Sequence, residues 1–271
     1  MTRAHDAKAV ACKFERSYAL GRAAAVRELE RCVLGSDYGA TSWTTRSEAD
    51  RVARRLALRP RVRLLDVGAG SGWPGLYLAQ RTGCDVTLAD VPIAGLRVAI
   101  ERARNDGLTD RCLTVAADGA KLPFRDCAFD AVSHSDVLCC MPAKLDLLRE
   151  CRRVARPSAR MEFSVIGMPS GLCEAERRIA IDGGPSFVEA PGDYALMLEE
   201  TGWRPLERSD VTAEFARLVR SLVEGTIERS DALINALGSV EFSERLDRRR
   251  AELAAIDRGV LNRERFLAVA I

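Results

Sequence analysis

"LLDVGAGSGWPG", residues Leu64 to Gly75, is the stretch on which the reading of this chain turns. Gly70, Gly72 and Gly75 satisfy the G-x-G-x-x-G dinucleotide pattern, while Gly68, Gly70 and Gly72 satisfy G-x-G-x-G with an acid, Asp66, two residues ahead. The two patterns name different cofactors, and the flanking residues discriminate between them. If Gly70 opened the fingerprint, Asp66 and Gly68 would lie inside a buried strand, where an unpaired carboxylate is costly. If Gly68 opens it, Leu64 and Leu65 stay in the sheet and Asp66 stands at its carboxyl end, facing the crevice where open α/β sheets bind ligands. The glycines then admit close backbone approach to the ligand, and Pro74 sits at a helix start where a missing N–H is harmless. Asp90 ends the next strand, placed to accept both hydroxyls of a ribose.

Outward from this loop, short apolar runs alternate with helical stretches, as in a parallel sheet covered on both faces. The pattern predicts strands at 62–67, 85–90, 112–117, 129–134, 160–166 and 204–211, with helices near 74–81, 93–106, 143–154 and 193–201. Phe215, Leu218, Val219, Leu222 and Val223 mark a long amphipathic helix, and 241–257 is a mostly charged helical stretch. The closing "RFLAVAI" is apolar, β-compatible and bounded by charge, and reads as a last strand inserted back into the sheet. Upstream, 6–34 is Ala-rich and charged with weak helical periodicity; it breaks at Gly35 before the aromatic loop "DYGATSWTT". Thr45 and Glu48 then form a T-x-x-E capping box, opening a helix with Ala49, Val52, Ala53 and Leu56 on one face. The expected fold is α/β: a Rossmann-like, doubly wound, mostly parallel seven-stranded sheet with an N-terminal helical cap (1–45) and a helical insertion (212–260) before the last strand. Residues 46–271 form the main domain, and 167–192 is a candidate lid.

Composition narrows the function. Lys plus Arg (41) nearly balances Asp plus Glu (39), and the charges are scattered, so nothing builds a field for a polyanion and nucleic acid is not an expected partner. The nine cysteines are odd in number, include no C-x-x-C pair, and suit reduced thiols packed as small hydrophobes; Cys139 and Cys140 are read that way. A cytoplasmic compartment and no metal are expected. The first ten residues lack an apolar h-region and no later run approaches bilayer length, so neither export nor membrane association is expected.

The blocks "LLDVGAGSG", "VTLADVP", "AADGAKLPF", "FDAVSHSDVLCCM" and "LRECRRVARPSARMEFSVI" follow one another in an order that resembles the class I S-adenosylmethionine-dependent methyltransferases. The likeness covers about 61–166 and is nearest the small-molecule branch that includes quinone-biosynthesis and sarcosine/dimethylglycine-type enzymes, with "DYALMLEETGWRPLERSDVT" also fitting. It implies S-adenosyl-L-methionine as cofactor, with Gly68, Gly70 and Gly72 around its methionine part and Asp66 organising the loop. It further implies Asp90 at the ribose, Val91 against the adenine, and Asp118 with Gly119 at the adenine amino edge. One departure stands out: where the family usually has a Pro-Gly-Gly turn, this chain has Pro157, Ser158 and Ala159, which puts the turn geometry in question because φ > 0 suits glycine best.

The chemistry implied is in-line methyl transfer to an oxygen or nitrogen of a small-molecule acceptor, since no Asp-Pro-Pro-Tyr motif or Pro-Cys nucleophile points to nucleic-acid bases. His134 and Asp136 follow the fourth strand, and His134 is the candidate general base, the alternative being a hydrogen-bonded strand-end residue. The other histidine, His5, lies near the amino terminus. Tyr38 and Trp43 flank a loop that closes over cofactor or acceptor or simply packs, and Phe187 and Glu189 belong to the candidate lid or to an ordinary surface loop. Arg248, Arg249 and Arg250, with acids on either side, read as a solvated helix face. A non-catalytic adenosylmethionine-binding regulator, a nicotinamide-dependent dehydrogenase and an aminopropyltransferase remain as other readings.

Overall fold

The computed structural model describes residues 7–39 and 41–271, so His5 and the first residues of the expected cap lie outside the described residues. Among the described residues seven strands form one sheet: β1 (Arg63–Val67), β2 (Asp85–Asp90), β3 (Cys112–Ala116), β4 (Phe129–Ser135), β5 (Ala155–Gly167), β6 (Trp203–Asp210) and β7 (Asn262–Ala270). Their order is β3-β2-β1-β4-β5-β7-β6. β1 to β5 pair in parallel, and β7 runs antiparallel between β5 and β6. The helices are α1 (Ala7–Gly21), α2 (Ala24–Leu34), α3 (Arg46–Arg55), α4 (Gly75–Thr82), α5 (Ile93–Asn105), α6 (Lys144–Val154), α7 (Glu174–Gly183), α8 (Tyr194–Glu200), α9 (Thr212–Glu228), α10 (Ser230–Leu237) and α11 (Ser239–Asp257).

Strand alternation explains why both faces of the sheet are covered. Leu64 and Leu65 are consecutive and both fully buried, so they must enter different cores. Leu64 packs with Leu76, Leu88 and Ala99, whereas Leu65 packs with Val132, Leu147 and Phe163. Each such leucine contributes about 1.5–3 kcal/mol of burial free energy. The capping box at Thr45 is formed as expected: the Glu48 N–H donates to Thr45 Oγ1 at 3.2 Å, and Glu48 Oε2 accepts from the Thr45 N–H at 2.8 Å.

Three boundaries differ from the sequence reading. The last strand starts at Asn262, not at Arg265, because the charges that looked like a border are buried and paired inside the sheet. Arg263 donates to Asp136, Glu48 and Ser164, and Arg265 lies beside the buried carboxylate of Glu162. β5 begins at Ala155, taking in the Pro157-Ser158-Ala159 turn, where Ser158 accepts φ +65° without a glycine. Within 167–192 a helix, α7, is present; its first turn is held by Glu176 Oε2 accepting the Cys173 N–H at 2.8 Å, a box whose lead residue is cysteine and therefore carries a weak sequence signal.

The two ends of the chain meet above the sheet. α1 packs on α5, α2 packs on α9 and α10, and α11 packs on α9 and α7. The N-terminal cap and the insertion before β7 therefore form one helical roof. No helix among the described residues is long and apolar enough to cross a membrane.

Candidate active site

Between the carboxyl ends of β1, β2 and β4 and the helical roof lies a cavity of about 700 Å³. Its floor is the glycine loop. Asp66 is buried within β1, yet it is not the unpaired charge that the sequence argument feared. Its Oδ1 accepts from Ser133 Oγ at 2.7 Å and its Oδ2 from the Gly75 N–H at 3.1 Å, which ties the end of the loop to β4. A Cβ at Gly75 would stand 2.6 Å from that same Oδ2, so the glycines of both competing patterns serve one loop. Burial pushes the Asp66 carboxyl up to about 7 against these two donors.

Asp90, at the end of β2, accepts the Gly70 N–H at 2.6 Å on Oδ2 and the Val91 N–H at 2.7 Å on Oδ1. It thereby bridges the loop and the next turn while keeping lone pairs for a ligand, since each carboxylate oxygen accepts more than one bond. Burial raises its pKa to about 6. Gly68 and Gly70 line the cavity with positive φ. A side chain at Gly70 would collide with the hydroxyl of Tyr18, a buried residue of α1 that covers the loop and whose own ionisation burial suppresses. Gly72 has φ +92° but turns its Cα toward Leu76 and Ala99, supporting the loop from behind. Val91, half exposed, together with Asp118 and Gly119 completes this end of the cavity, and Asp118 Oδ1 fixes its own turn by accepting the Ala120 N–H at 2.9 Å.

The other end lies under the roof. Leu29 and Val33 of α2, Leu222 of α9, Leu233 of α10 and Phe242 of α11 make it largely apolar. Trp43 borders this chamber and is also packed edge-on against Phe215 at 5.2 Å. Tyr38 does not: it packs on Trp73 at 5.1 Å, beneath the guanidinium of Arg102, outside the chamber. The aromatic loop thus divides, one ring inward and one outward, and the Trp73 Nε1–H donating to the Thr44 carbonyl at 2.8 Å pins it. In the candidate lid, Gly183, Gly184, Pro185 and Ser186 line the cavity. Phe187 instead anchors the segment, its N–H donating to the Cys139 carbonyl and its carbonyl accepting from Lys144 Nζ at 2.7 Å. Glu189 is exposed and paired with Arg177 at 2.5 Å, away from the chamber.

The candidate base is corrected most sharply. His134 is 1% exposed, does not border the cavity, and stacks on Phe163 at 4.5 Å. Neither ring nitrogen has a hydrogen-bond partner among the described residues, and burial lowers its pKa to about 3. Strand alternation is the reason: His134 shares a face with Val132, pointing into the core, while Ser135 on the opposite face, and Asp136 just past the strand end at a φ of +55°, reach the cavity wall. Asp136 borders the chamber, but both of its oxygens accept from Arg263, at 3.1 and 3.0 Å, and its N–H donates to the Ser164 carbonyl at 2.9 Å.

Sequence reasoning missed the charged face of α11. Arg248 and Arg249, taken for a solvated surface, line the cavity with Arg245 and Glu252; Arg250 alone of the run points out, near Asp247. Glu252 is buried, and Arg249 Nη1 donates to its Oε2 at 2.8 Å while the Arg249 guanidinium lies 4.2 Å over the Trp43 ring. Desolvation pushes the Glu252 carboxyl above its ordinary range, opposed by Arg249 and reinforced by nearby Asp136. The available signal was spacing: 241, 245, 248, 249 and 252 fall on one helical stripe.

Residues 65–163 match a family model described as a methyltransferase domain. The chain is 35% identical over 169 residues to the 27-O-demethylrifamycin SV methyltransferase of Amycolatopsis mediterranei, an alignment covering 60% of this chain and 61% of that enzyme. Among solved structures it is similar to the Haemonchus contortus phosphoethanolamine N-methyltransferase 2 bound to phosphomonomethylethanolamine and S-adenosylhomocysteine, with a TM-score of 0.81, 16% identity, and coverage of 100% of this chain and 61% of that one. It is also similar to the [4+2]-cyclase SpnF, with a TM-score of 0.71, 22% identity, and coverage of 91% and 92%.

Proposed function

We propose that the chain is a class I S-adenosylmethionine-dependent methyltransferase that transfers the methyl group of S-adenosyl-L-methionine to an oxygen or nitrogen of a small, largely apolar metabolite. The observation that carries this reading is the continuity of one cavity from the Asp90–Gly70 loop to the chamber under the helical roof. The residues present fit the cofactor: an open glycine backbone, a carboxylate at Asp90 with lone pairs for ribose hydroxyls, and an exposed apolar side chain at Val91 for adenine. Asp118 and Gly119 are assigned to the adenine edge on the same ground.

When bound, the cofactor supplies a methyl on a positively charged sulfur, displaced in line by the acceptor's lone pair. The protein's contribution is orientation and exclusion of water, which together account for several kcal/mol of barrier lowering in such reactions (about 7 or more for fully oriented pairs). Leu29, Val33 and Leu222 provide the dry wall, and Trp43, with the Arg249 guanidinium over its ring, closes the chamber beside Glu252. For a hydroxyl acceptor the proton passes to the carboxylate of Glu252, whose raised pKa makes it a stronger base than an exposed glutamate, and Arg249 holds it in place. The role expected of His134 moves to Glu252. α1, α2 and residues 183–186 close the chamber. The free cysteines support a reducing, cytoplasmic setting.

The fold also carries a cyclase, so fold alone does not select the reaction. The test is incubation with methyl-labelled S-adenosyl-L-methionine and a panel of apolar hydroxyl and amine metabolites. Label transfer to a panel member with formation of S-adenosylhomocysteine is the expected result. Tight binding of S-adenosylhomocysteine with no transfer to any acceptor that itself binds would overturn it in favour of a regulator or a cyclase-like use.

A further inference from the structure

The apolar chamber has one charged side. Arg245 and Arg248 of α11 and Lys13 of α1 border it together. The acids nearby do not balance them. Glu241 is shared between Arg245 and Arg16, each at 2.7 Å, and Glu252 is held by Arg249. Asp136 and Glu48 are occupied by the buried Arg263. Among the described residues no hydrogen bond or ion pair within 4.0 Å reaches Lys13 or Arg248; Glu244 lies in the field of Arg248 without pairing to it. Arg245 Nη2 is buried with no partner. Two cations and one buried guanidinium donor thus face a chamber that Leu29, Val33, Leu222, Leu233 and Phe242 make largely apolar at this end.

Such an arrangement is costly unless something anionic enters. Lys13 is destabilised as a cation by burial and by Arg248, and Arg248 by burial and by Arg249 and Arg245, and the opposing fields of Cys140 and Glu252 on Lys13 and of Glu241 and Glu244 on Arg248 do not offset this. Low-dielectric walls around like charges focus the field outward through the opening. We propose that Lys13, Arg245 and Arg248 form an anion-binding subsite, so that the acceptor is a molecule with an apolar body and one carboxylate or phosphate group held at this side. The proposal rests on the methyltransferase reading for the word acceptor, but its binding chemistry stands on these residues alone. Arginine supplies a planar donor fork that suits either oxyanion, and lysine adds a point charge.

The experiment is calorimetric titration of the full chain, with and without saturating S-adenosylhomocysteine, using decanoate, decyl phosphate and decanol at low ionic strength. The anionic probes should bind about tenfold or more tighter than decanol, the size expected for hydrogen bonds to charged groups. In Lys13→Met/Arg248→Met that preference should collapse, with decanol and S-adenosylhomocysteine binding unchanged. Preference for decyl phosphate over decanoate assigns a phosphate, and the reverse a carboxylate. Equal binding of neutral and anionic probes, or a preference that survives the double substitution, overturns the proposal. Failure of the methyltransferase reading would appear separately, as absence of S-adenosylhomocysteine binding to the unaltered chain.

Discussion

The two ends of the cavity are built by opposite means. At the cofactor end, Asp66, Gly68, Gly70 and Asp90 fall within one strand-loop-helix-strand unit, and most of the surface offered is backbone fixed by carboxylates at 2.6–3.1 Å. At the acceptor end the surface is side chain, delivered by α1, α2, α9, α10 and α11 from both ends of the sequence. A backbone cradle admits few solutions and recurs as a local pattern, whereas a chamber walled by side chains can be re-lined residue by residue without disturbing the sheet. On the proposed reading the protein pairs a fixed donor site with an adaptable acceptor site, and substitutions at the two ends should fail in different assays.

The largest separation is expected at Glu252. Glu252→Gln should lower turnover of a hydroxyl acceptor by about a hundredfold, the usual scale of a lost acid/base contribution, with S-adenosylhomocysteine affinity within about twofold of the original. Its pH–rate profile should also lose the limb on which activity falls with acid, because the carboxylate must be ionised to take the proton. Full turnover with an unchanged profile would remove Glu252 from the chemistry.

The cofactor end should titrate in binding, as the acceptor end does in turnover. Burial raises the Asp90 carboxyl to about 6, and in its proposed role it accepts ribose hydroxyls as the anion. Affinity for S-adenosylhomocysteine should therefore be level above that value and fall as pH drops below it, by up to about tenfold per unit. A flat affinity from pH 7 to pH 5 would contradict the role given to Asp90.

His134 sits behind both ends and should affect neither. His134→Phe should leave turnover within about twofold, a result that a catalytic imidazole excludes. It should instead change acid stability. The folded pKa of about 3 lies below the ordinary 6.5, so the neutral ring contributes stability above 6.5 that is lost as pH falls toward 3. At pH 5 the substitution should recover about 2 kcal/mol relative to its effect at pH 7, read as a smaller drop in denaturation midpoint on acidification.

What the sequence disclosed follows the same division. The glycine loop, the Asp90 strand end and the Thr45 box were readable because each is a contact between residues close in the chain. The start of β7 was not, because Arg263 and Arg265 look like a polar border until Asp136, Glu48 and Glu162 arrive from distant segments to pair with them. Tyr38 and Trp43 lie five positions apart on one loop, and nothing local says which ring turns inward. The inward face of His134 is readable from strand alternation counted from Val132. The stripe on α11 has helical spacing, but a charged stripe normally faces water, and only the roof made by α1 and α2 turns it into a cavity wall.

The most direct test of the account is calorimetric titration of S-adenosylhomocysteine and of NAD into the unaltered chain and into Asp90→Ala. S-adenosylhomocysteine should bind the unaltered chain and bind Asp90→Ala about thirtyfold more weakly, as loss of two charge-assisted hydrogen bonds worth about 2 kcal/mol requires, while NAD binds neither. Binding of NAD in place of S-adenosylhomocysteine, or S-adenosylhomocysteine affinity indifferent to Asp90, would contradict it.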